Sequence, residues 1–155
     1  MDRVKQHNKS DSFDRDIYSI SIASLNDLPT LGMPSKYFAT LVALDARNIS
    51  VNDLVMFFRN LISQGCVYIC AWGPRSVDTE EAADYASIYK ELDGGIEQPV
   101  IMTTSHSNDE LGEALWFLTN SAKPDNAYNP ECKCALVISV GNDIWSNEIN
   151  DYFAN

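Results

Sequence analysis

His106 stands between hydroxyl and carboxyl side chains, the local combination that an acid–base site would use. These neighbours are Thr103, Thr104, Ser105, Asp109 and Glu110. An imidazole can accept a proton from a hydroxyl nucleophile while a carboxylate orients its ring. One histidine does not make a site, however, and none of these residues stands at a diagnostic spacing. We therefore predict that His106 is a structural residue at a helix start, with catalysis as the alternative.

A metal centre at His106 would need further ligands. Asp45 and Asp143 are candidates, because each closely follows an apolar run of the chain. Metal sites are recognised in a sequence by close, characteristic spacings of their ligands. Neither aspartate stands at such a spacing from His106, so no metal is expected.

The chain has four cysteines, which are Cys66, Cys70, Cys132 and Cys134. Cys66 and Cys70 belong to an apolar run typical of a buried strand, where roughly 3.3 Å per residue separates their α-carbons by about 13 Å. One tetrahedral metal cannot take both as ligands at that distance. We predict reduced thiols, with the first pair serving as small buried apolar side chains.

The usual glycine-rich phosphate cradles are absent from the sequence. Neither Gly-x-Gly-x-x-Gly nor Gly-x-x-x-x-Gly-Lys-Ser/Thr occurs, and no Gly-x-Ser-x-Gly elbow offers a hydrolase nucleophile. A nucleotide would have to bind at a plain helix N-terminus with Arg47 or Arg75 on its phosphate. We expect no cofactor. Because these motifs are missing, the sequence weighs against an enzyme.

Short apolar runs alternate with amphipathic segments, which is typical of an α/β protein. Strands are predicted at Ile17–Ile22, Phe38–Leu44, Cys66–Ala71, Pro99–Met102 and Ala135–Val140. Helices are predicted at Asn52–Ser63, Thr79–Leu92, Asn108–Ser121 and Ile144–Phe153. Continuous apolar runs indicate strands buried on both faces, and their alternation with helices indicates parallel pairing. The sequence thus predicts one three-layer sandwich, Rossmann-like or flavodoxin-like, with Ile17–Ile22 as an N-terminal edge strand.

Ligands of open parallel sheets bind where the carboxyl ends of the strands meet. Polar and aromatic residues lie at this edge of the predicted sheet. The ligand-binding candidates are Asp45, Arg47, Trp72, Arg75, Thr104, Ser105, Asn142 and Asp143. Simpler roles compete with binding, since the two arginines could form exposed ion pairs with Asp45 and Asp78. Trp72 could equally pack at the rim of the core.

Helix capping explains other polar residues near the same edge. A Ser or Asp at a helix start, followed three residues later by an acid, satisfies the first backbone amides. The pattern fits three pairs, namely Ser50 with Asp53, Asp78 with Glu81, and Ser107 with Glu110. We predict that all three pairs are caps.

The chain of 155 residues carries a formal charge of −11, from 22 acidic and 11 basic side chains. Nucleic-acid affinity depends on clustered Lys and Arg, which this sequence lacks. It also lacks an apolar run of about 18 residues that could cross a bilayer, and an apolar signal-peptide core. We expect a cytoplasmic protein with neither a nucleic-acid nor a membrane partner.

Residues 1–16 contain four acidic and four basic side chains and no apolar periodicity. This composition favours a mobile polar tail. Residues 17–155 are then a single α/β domain that carries the whole net charge.

Two segments resemble an uncharacterised group of small bacterial proteins. They are the strand end Trp72-Gly73-Pro74 and the stretch Val100-Ile-Met-Thr-Thr-Ser-His106, which precedes Glu113-Ala-Leu-Trp-Phe117. In that group an apolar strand ends in Thr-Thr-Trp-His before a helix with a Glu-Ala-Leu-Trp core, whereas this chain has Ser105 in place of the tryptophan. The resemblance covers residues 66–145. It implies a bacterial origin and a single domain, and it brings no known activity.

Two functions agree with these patterns. The first is an acidic interaction protein that binds and inhibits a basic protein, as immunity proteins of nuclease-type toxins do. Its partner-binding candidates lie in one predicted helix and are Asp78, Glu80, Glu81, Asp84, Glu91 and Asp93. The alternative is a small-molecule or nucleotide site at the strand ends. The sequence favours the first narrowly, because the phosphate cradles and the nucleophile elbow are missing.

Overall fold

The computed structural model describes residues 4–93 and 99–154, with the backbone alone for residues 89–93. Within these residues the chain forms six strands and four α-helices. The strands are β1 (Lys5–Ser10), β2 (Asp16–Ile22), β3 (Tyr37–Ala43), β4 (Cys66–Trp72), β5 (Met102–Ser105) and β6 (Cys132–Val140). The helices are α1 (Val51–Ser63), α2 (Ser76–Asp93), α3 (Leu111–Asn120) and α4 (Asp143–Ala154).

The six strands form one sheet in the order β1-β2-β6-β3-β4-β5. Only the β1–β2 pair is antiparallel among these neighbours. The prediction of an α/β protein with a mainly parallel sheet is therefore confirmed. The prediction that residues 17–22 form the edge strand is wrong, because β1 covers that side of β2.

The central strands β3, β4 and β6 are the continuous apolar runs of the sequence. Leu41 pairs with Cys70 on one side and with Val137 on the other, and all three side chains are fully buried. A strand that is buried on both faces needs apolar side chains on both, so its sequence is an unbroken apolar run without alternation.

The helix starts differ from the predicted ones at two of the three capping pairs. The Ser50 hydroxyl accepts the Asp53 amide at 3.1 Å, as predicted for α1. Helix α2 instead begins at Ser76, before the predicted cap Asp78, and α3 begins at Leu111 after Glu110. The Glu113 carboxylate accepts the Glu110 amide at 3.0 Å, so the capping residue of α3 is Glu110 rather than Ser107.

Strand β5 lies three residues later than predicted. Thr103 and Thr104 pair with Ile69 and Cys70 of β4, whereas Pro99 precedes the strand. The two threonines are β-branched and fit a strand well, although their hydroxyls suggested a loop. This shift places His106 directly after the strand.

Residues 4–16, the described part of the predicted mobile tail, are instead ordered structure. Lys5–Ser10 is strand β1, and the Arg15 side chain is fully buried. Arg15 donates to the carbonyl oxygens of Leu118 and Ala122 at the end of α3, at 2.7 and 2.8 Å. Its Nε contacts Asp11 at 2.7 Å, and both side chains are excluded from solvent. One acidic and one basic side chain of this segment therefore form a buried ion pair, although the composition suggested a solvated tail.

Within the described part of the chain, no helix combines the length and the apolar character needed to cross a membrane. All four cysteines are buried and none forms a disulfide, and the predicted burial of Cys66 and Cys70 is confirmed. Burial raises the pKa of the Cys70 thiol to about 12.

We expect acid to destabilise the fold through His7 of β1. The ring is buried against Phe153, and its Nε2 lies 2.7 Å from the Ser19 hydroxyl. Burial and then Lys5 lower the pKa of His7 below its usual 6.5. The folded state therefore takes up this proton at lower pH than the unfolded state, and stability falls as the pH drops below about 6.5.

The measurement is urea unfolding of the wild type and of His7→Gln at pH 7.5 and at pH 5. Glutamine keeps a hydrogen-bonding group beside Ser19 but has no proton to take up. The variant should lose less stability than the wild type between the two pH values. Equal losses would show that His7 does not contribute to acid sensitivity.

Candidate ligand-binding site

A pocket of about 570 Å³ opens at the carboxyl ends of β4 and β5, beside the starts of α2 and α4. Residues from three separate parts of the chain form its wall. Those that matter chemically are Trp72, Arg75, Ser76, His106, Asp109 and Trp145. The sequence predicted a site at this edge of the sheet, and Trp72 and Arg75 were among its candidates.

A tight turn connects β4 to α2 and forms one side of the pocket. The Ser76 amide donates to the Gly73 carbonyl at 3.0 Å, which closes the turn around Pro74 and Arg75. Gly73 has φ +119°, and a Cβ there would lie 2.2 Å from the Leu44 carbonyl oxygen. Only glycine fits this position, so the turn is fixed against the end of β3.

Ser76 is the first residue of α2 and is 1% exposed. Its hydroxyl has no hydrogen-bond partner within the described residues, although it belongs to the pocket wall. Buried hydroxyls in native proteins are nearly always bonded. The sequence did not identify Ser76, because the capping pattern placed the helix start at Asp78.

Arg75 and Asp78 form an ion pair at the pocket mouth. Arg75 Nε and one terminal nitrogen both contact Asp78 Oδ2, at 2.7 and 2.5 Å. The Arg75 side chain is 64% exposed, so the pair itself stabilises the fold little. The local pairing foreseen from the sequence is confirmed, and it holds the guanidinium beside the start of α2.

Two tryptophans form the aromatic wall. The rings of Trp72 and Trp145 meet edge to face, with centroids 5.0 Å apart. Trp72 Nε1 donates to the Asp109 carbonyl at 2.9 Å, which joins β4 to the loop after β5. Trp145 was predicted only as an apolar residue of the last helix, and its place in this wall was missed.

His106 is held by hydrogen bonds at both ring nitrogens. Nδ1 lies 3.0 Å from Asp109 Oδ2, and Nε2 lies 2.8 Å from the Thr104 hydroxyl. The ring also packs on Phe117, with centroids 4.7 Å apart. Asp109 was the predicted orienting carboxylate, and the structure brings it to the ring.

The order Thr104–His106–Asp109 matches the hydrogen-bond order of a hydrolytic triad. The Thr104 hydroxyl, however, also faces the buried side chains of Tyr68 and Cys70, and its interaction with each partly offsets the rise in their pKa values. Burial raises the pKa of Tyr68, like that of Cys70, to about 12, which marks these surroundings as apolar. Thr104 is not part of the pocket wall, so the geometry assigns it to orienting the imidazole.

The other ligand candidates lie away from this pocket. Arg47 forms a salt bridge with Asp45 through contacts of 2.6 to 3.1 Å, and this hydrogen bonding lowers the pKa of the Asp45 carboxyl. Ser105 belongs to β5, and Asp143 is the first residue of α4. Asn142 caps α4, because its side-chain oxygen accepts the Trp145 amide at 3.0 Å.

The acidic residues predicted to bind a partner belong to α2, and several make contacts within the chain. Asp78 pairs with Arg75, while Glu80 and Asp84 both lie within hydrogen-bond distance of the Thr103 hydroxyl, which has one proton to donate to either. Glu81 is exposed and lines a second pocket of about 400 Å³ with Arg47. The side chains of Glu91 and Asp93 lie outside the described residues.

Comparison with known proteins gives a family and no activity. No curated protein and no solved structure matches the chain. A family model described as "Domain of unknown function (DUF7684)" matches residues 17–155, which include the whole pocket. The chain therefore belongs to that family.

Proposed function

We propose that this protein binds a small molecule in the pocket at the carboxyl ends of β4 and β5. The observation that carries the proposal is the buried, unbonded hydroxyl of Ser76 in the pocket wall. A volume of about 570 Å³ lies within the usual range of ligand sites, roughly 300–1,000 Å³.

The free energy of an unbonded buried hydroxyl supports a ligand. Leaving such a group without a partner costs about 1–3 kcal/mol, and alanine at the same place would avoid the cost. Of the other buried hydroxyls of this helix, that of Ser87 donates to the Asp84 carbonyl at 2.7 Å, whereas that of Thr79 also has no partner within the described residues but does not line the pocket. A ligand group that accepts a hydrogen bond from Ser76 would provide the partner that the described part of the chain does not provide.

The position in the fold supports the same conclusion. Helices α1 and α2 contact each other, as do α3 and α4. We propose on this basis that the helices cover the two faces of the sheet as a three-layer sandwich. Such sheets bind their ligands at the carboxyl edge of the strands, where this pocket lies.

Binding without catalysis is the function that the geometry favours. His106 is fixed by Thr104 and Asp109 and packed on Phe117, so its ring nitrogens are already engaged. The hydroxyl that His106 could deprotonate belongs to Thr104, which is not part of the pocket wall and so does not face a bound molecule as a nucleophile would. We propose that His106 holds the pocket wall in place.

The variants Ser76→Ala and Ser87→Ala test the proposal as a matched pair on one helix. Ser76→Ala should leave the free energy of unfolding unchanged or raise it by up to about 1 kcal/mol, because it removes an unbonded buried group. Ser87→Ala should lower it by about 1 kcal/mol, because a hydrogen bond is lost. Urea unfolding measures both.

Binding is then measured by nuclear magnetic resonance with a panel of small aromatic fragments. Ser76→Ala should bind them at least tenfold more weakly than the wild type, whereas Ser87→Ala should bind them equally well. The proposal fails if no fragment of the panel binds at the pocket, or if Ser76→Ala destabilises the fold and binds as the wild type does.

The acidic interaction protein remains a second proposal, supported by the formal charge of −11. A strongly negative protein captures a basic partner quickly at low salt, and the association rate falls as salt rises. The internal contacts of Asp78, Glu80 and Asp84 leave fewer carboxylates of α2 available for a partner. The test is a pull-down with the immobilised chain. A basic host protein that is retained at low salt and lost at high salt would favour this proposal.

A further inference from the structure

We propose that the ligand carries an anionic group, a carboxylate or a phosphate, which binds at the start of α2 between the Ser76 hydroxyl and the Arg75 guanidinium. This inference rests on the proposed pocket and names the chemistry of its occupant. Three features of the described residues carry it.

The first feature is the helix that points its N-terminus at the pocket. Helix α2 has 18 residues and begins at Ser76, inside the pocket wall. The start of an α-helix carries a partial positive charge and favours anions. The unbonded Ser76 hydroxyl lies at this same point and can donate its proton to an anionic oxygen, which is the independent sign of a ligand.

The second feature is the spare hydrogen-bonding capacity of Arg75. A guanidinium has five N–H donors in a planar fork. Both contacts to Asp78 go to a single carboxylate oxygen, Oδ2, and involve Nε and one terminal nitrogen. The remaining N–H groups have no partner within the described residues and can bind a second anion.

The third feature is the backbone at Arg75, which has φ +62° in the left-handed region. It follows Pro74 in a turn closed by the Ser76 amide, the position that ordinarily takes glycine or asparagine. Arginine there costs about 1 kcal/mol relative to glycine. The turn itself disfavours Arg75, and its presence is explained if the guanidinium is needed at the pocket mouth.

The surrounding charges limit how negative the group can be. Asp78 and Asp109 also line the pocket, although Asp78 is paired with Arg75 and Asp109 is hydrogen-bonded to His106. The whole chain carries −11. These charges favour a ligand with one or two negative charges over a polyphosphate, and the Trp72–Trp145 wall suits a flat ring beside the anionic group.

Four small aromatic probes, the first three of nearly equal shape, test this proposal on the full chain. Benzoate is anionic, benzamide neutral and benzamidine cationic, while phenyl phosphate replaces the carboxylate by a phosphate. We expect benzoate or phenyl phosphate to bind at least tenfold more tightly than benzamide, and benzamidine to bind most weakly. The comparison of benzoate with phenyl phosphate distinguishes the two anions. Titrations followed by the indole N–H signals of Trp72 and Trp145 measure the dissociation constants.

The variant Arg75→Gly separates the guanidinium from the fold. Glycine suits φ +62°, so its melting temperature should equal or exceed that of the wild type, while the preference for benzoate over benzamide should disappear. Arg47→Ala is the matched control, because Arg47 is also an exposed, paired arginine and should leave binding unchanged.

Equal or tighter binding of benzamide or benzamidine, or an anion preference that persists in Arg75→Gly, overturns the anionic ligand while the pocket proposal stands. If none of the four probes binds, the anionic ligand is overturned; if the wider fragment panel also fails, the pocket proposal falls with it.

Discussion

Replacing Arg15 with methionine should lower the free energy of unfolding by about 3–5 kcal/mol, the cost of removing one partner of a buried ion pair. The guanidinium is fully buried and satisfies three acceptors at once. They are the Asp11 carboxylate and the carbonyl oxygens of Leu118 and Ala122. The variant would leave the Asp11 charge buried without a counter-ion and two carbonyls at the end of α3 without donors. Urea unfolding followed by circular dichroism measures the loss.

A second substitution identifies the cause of that loss. Asp11 also accepts the backbone amides of Phe13 and Arg15, at 2.9 and 3.0 Å, and asparagine keeps an oxygen for them. Asp11→Asn added to Arg15→Met should therefore recover part of the lost stability, since it removes the uncompensated charge. A loss below about 1 kcal/mol in Arg15→Met would mean that the N-terminal segment does not depend on this ion pair.

Replacing Gly73 with alanine should cost about 3 kcal/mol or more and remove the pocket together with the stability. An added Cβ would lie 2.2 Å from the Leu44 carbonyl oxygen, which is backbone and cannot move aside cheaply. The value of φ, +119°, is also outside the range that L-residues adopt comfortably. The ends of β3 and β4 would have to separate, although the Leu44 amide is bonded there to the Trp72 carbonyl at 3.0 Å.

Gly112 provides the control for this substitution. It lies in helix α3, and a Cβ built there meets no heavy atom within 4 Å. Gly112→Ala should be neutral or stabilise the fold by up to about 1 kcal/mol, because alanine favours a helix over glycine. Similar unfolding free energies for the two alanine variants would contradict the role assigned to Gly73.

The sheet could be predicted where burial shapes the sequence. Residues 66–71 and 135–140 read as strands because both of their faces are covered, which leaves an unbroken apolar run. Strand β1 gave no such signal, since His7 is its only buried residue. An edge strand held by backbone pairing and by one buried arginine nearby has the composition of a disordered tail.

The site could be predicted only as a location. Parallel topology brings the strand ends together, so Trp72 and Arg75 were identified from their position alone. Ser76 was missed because Asp78 and Glu81 imitate a capping box two residues into the real helix. Trp145 was missed because its contact with Trp72 joins residues 73 positions apart, and helical periodicity shows only that it is apolar.

The most direct test of the pocket is a map of the backbone amide and indole N–H resonances of the wild-type protein on titration with benzoate. The account predicts shifts at residues 72–78 and 106–109 and at the indole groups of Trp72 and Trp145. The indole of Trp116, 56% exposed and outside the wall of this pocket, should stay unmoved and serves as the internal control. Shifts confined to Trp116, or no shift at the strand ends at millimolar benzoate, would contradict the binding of an anionic ligand in this pocket.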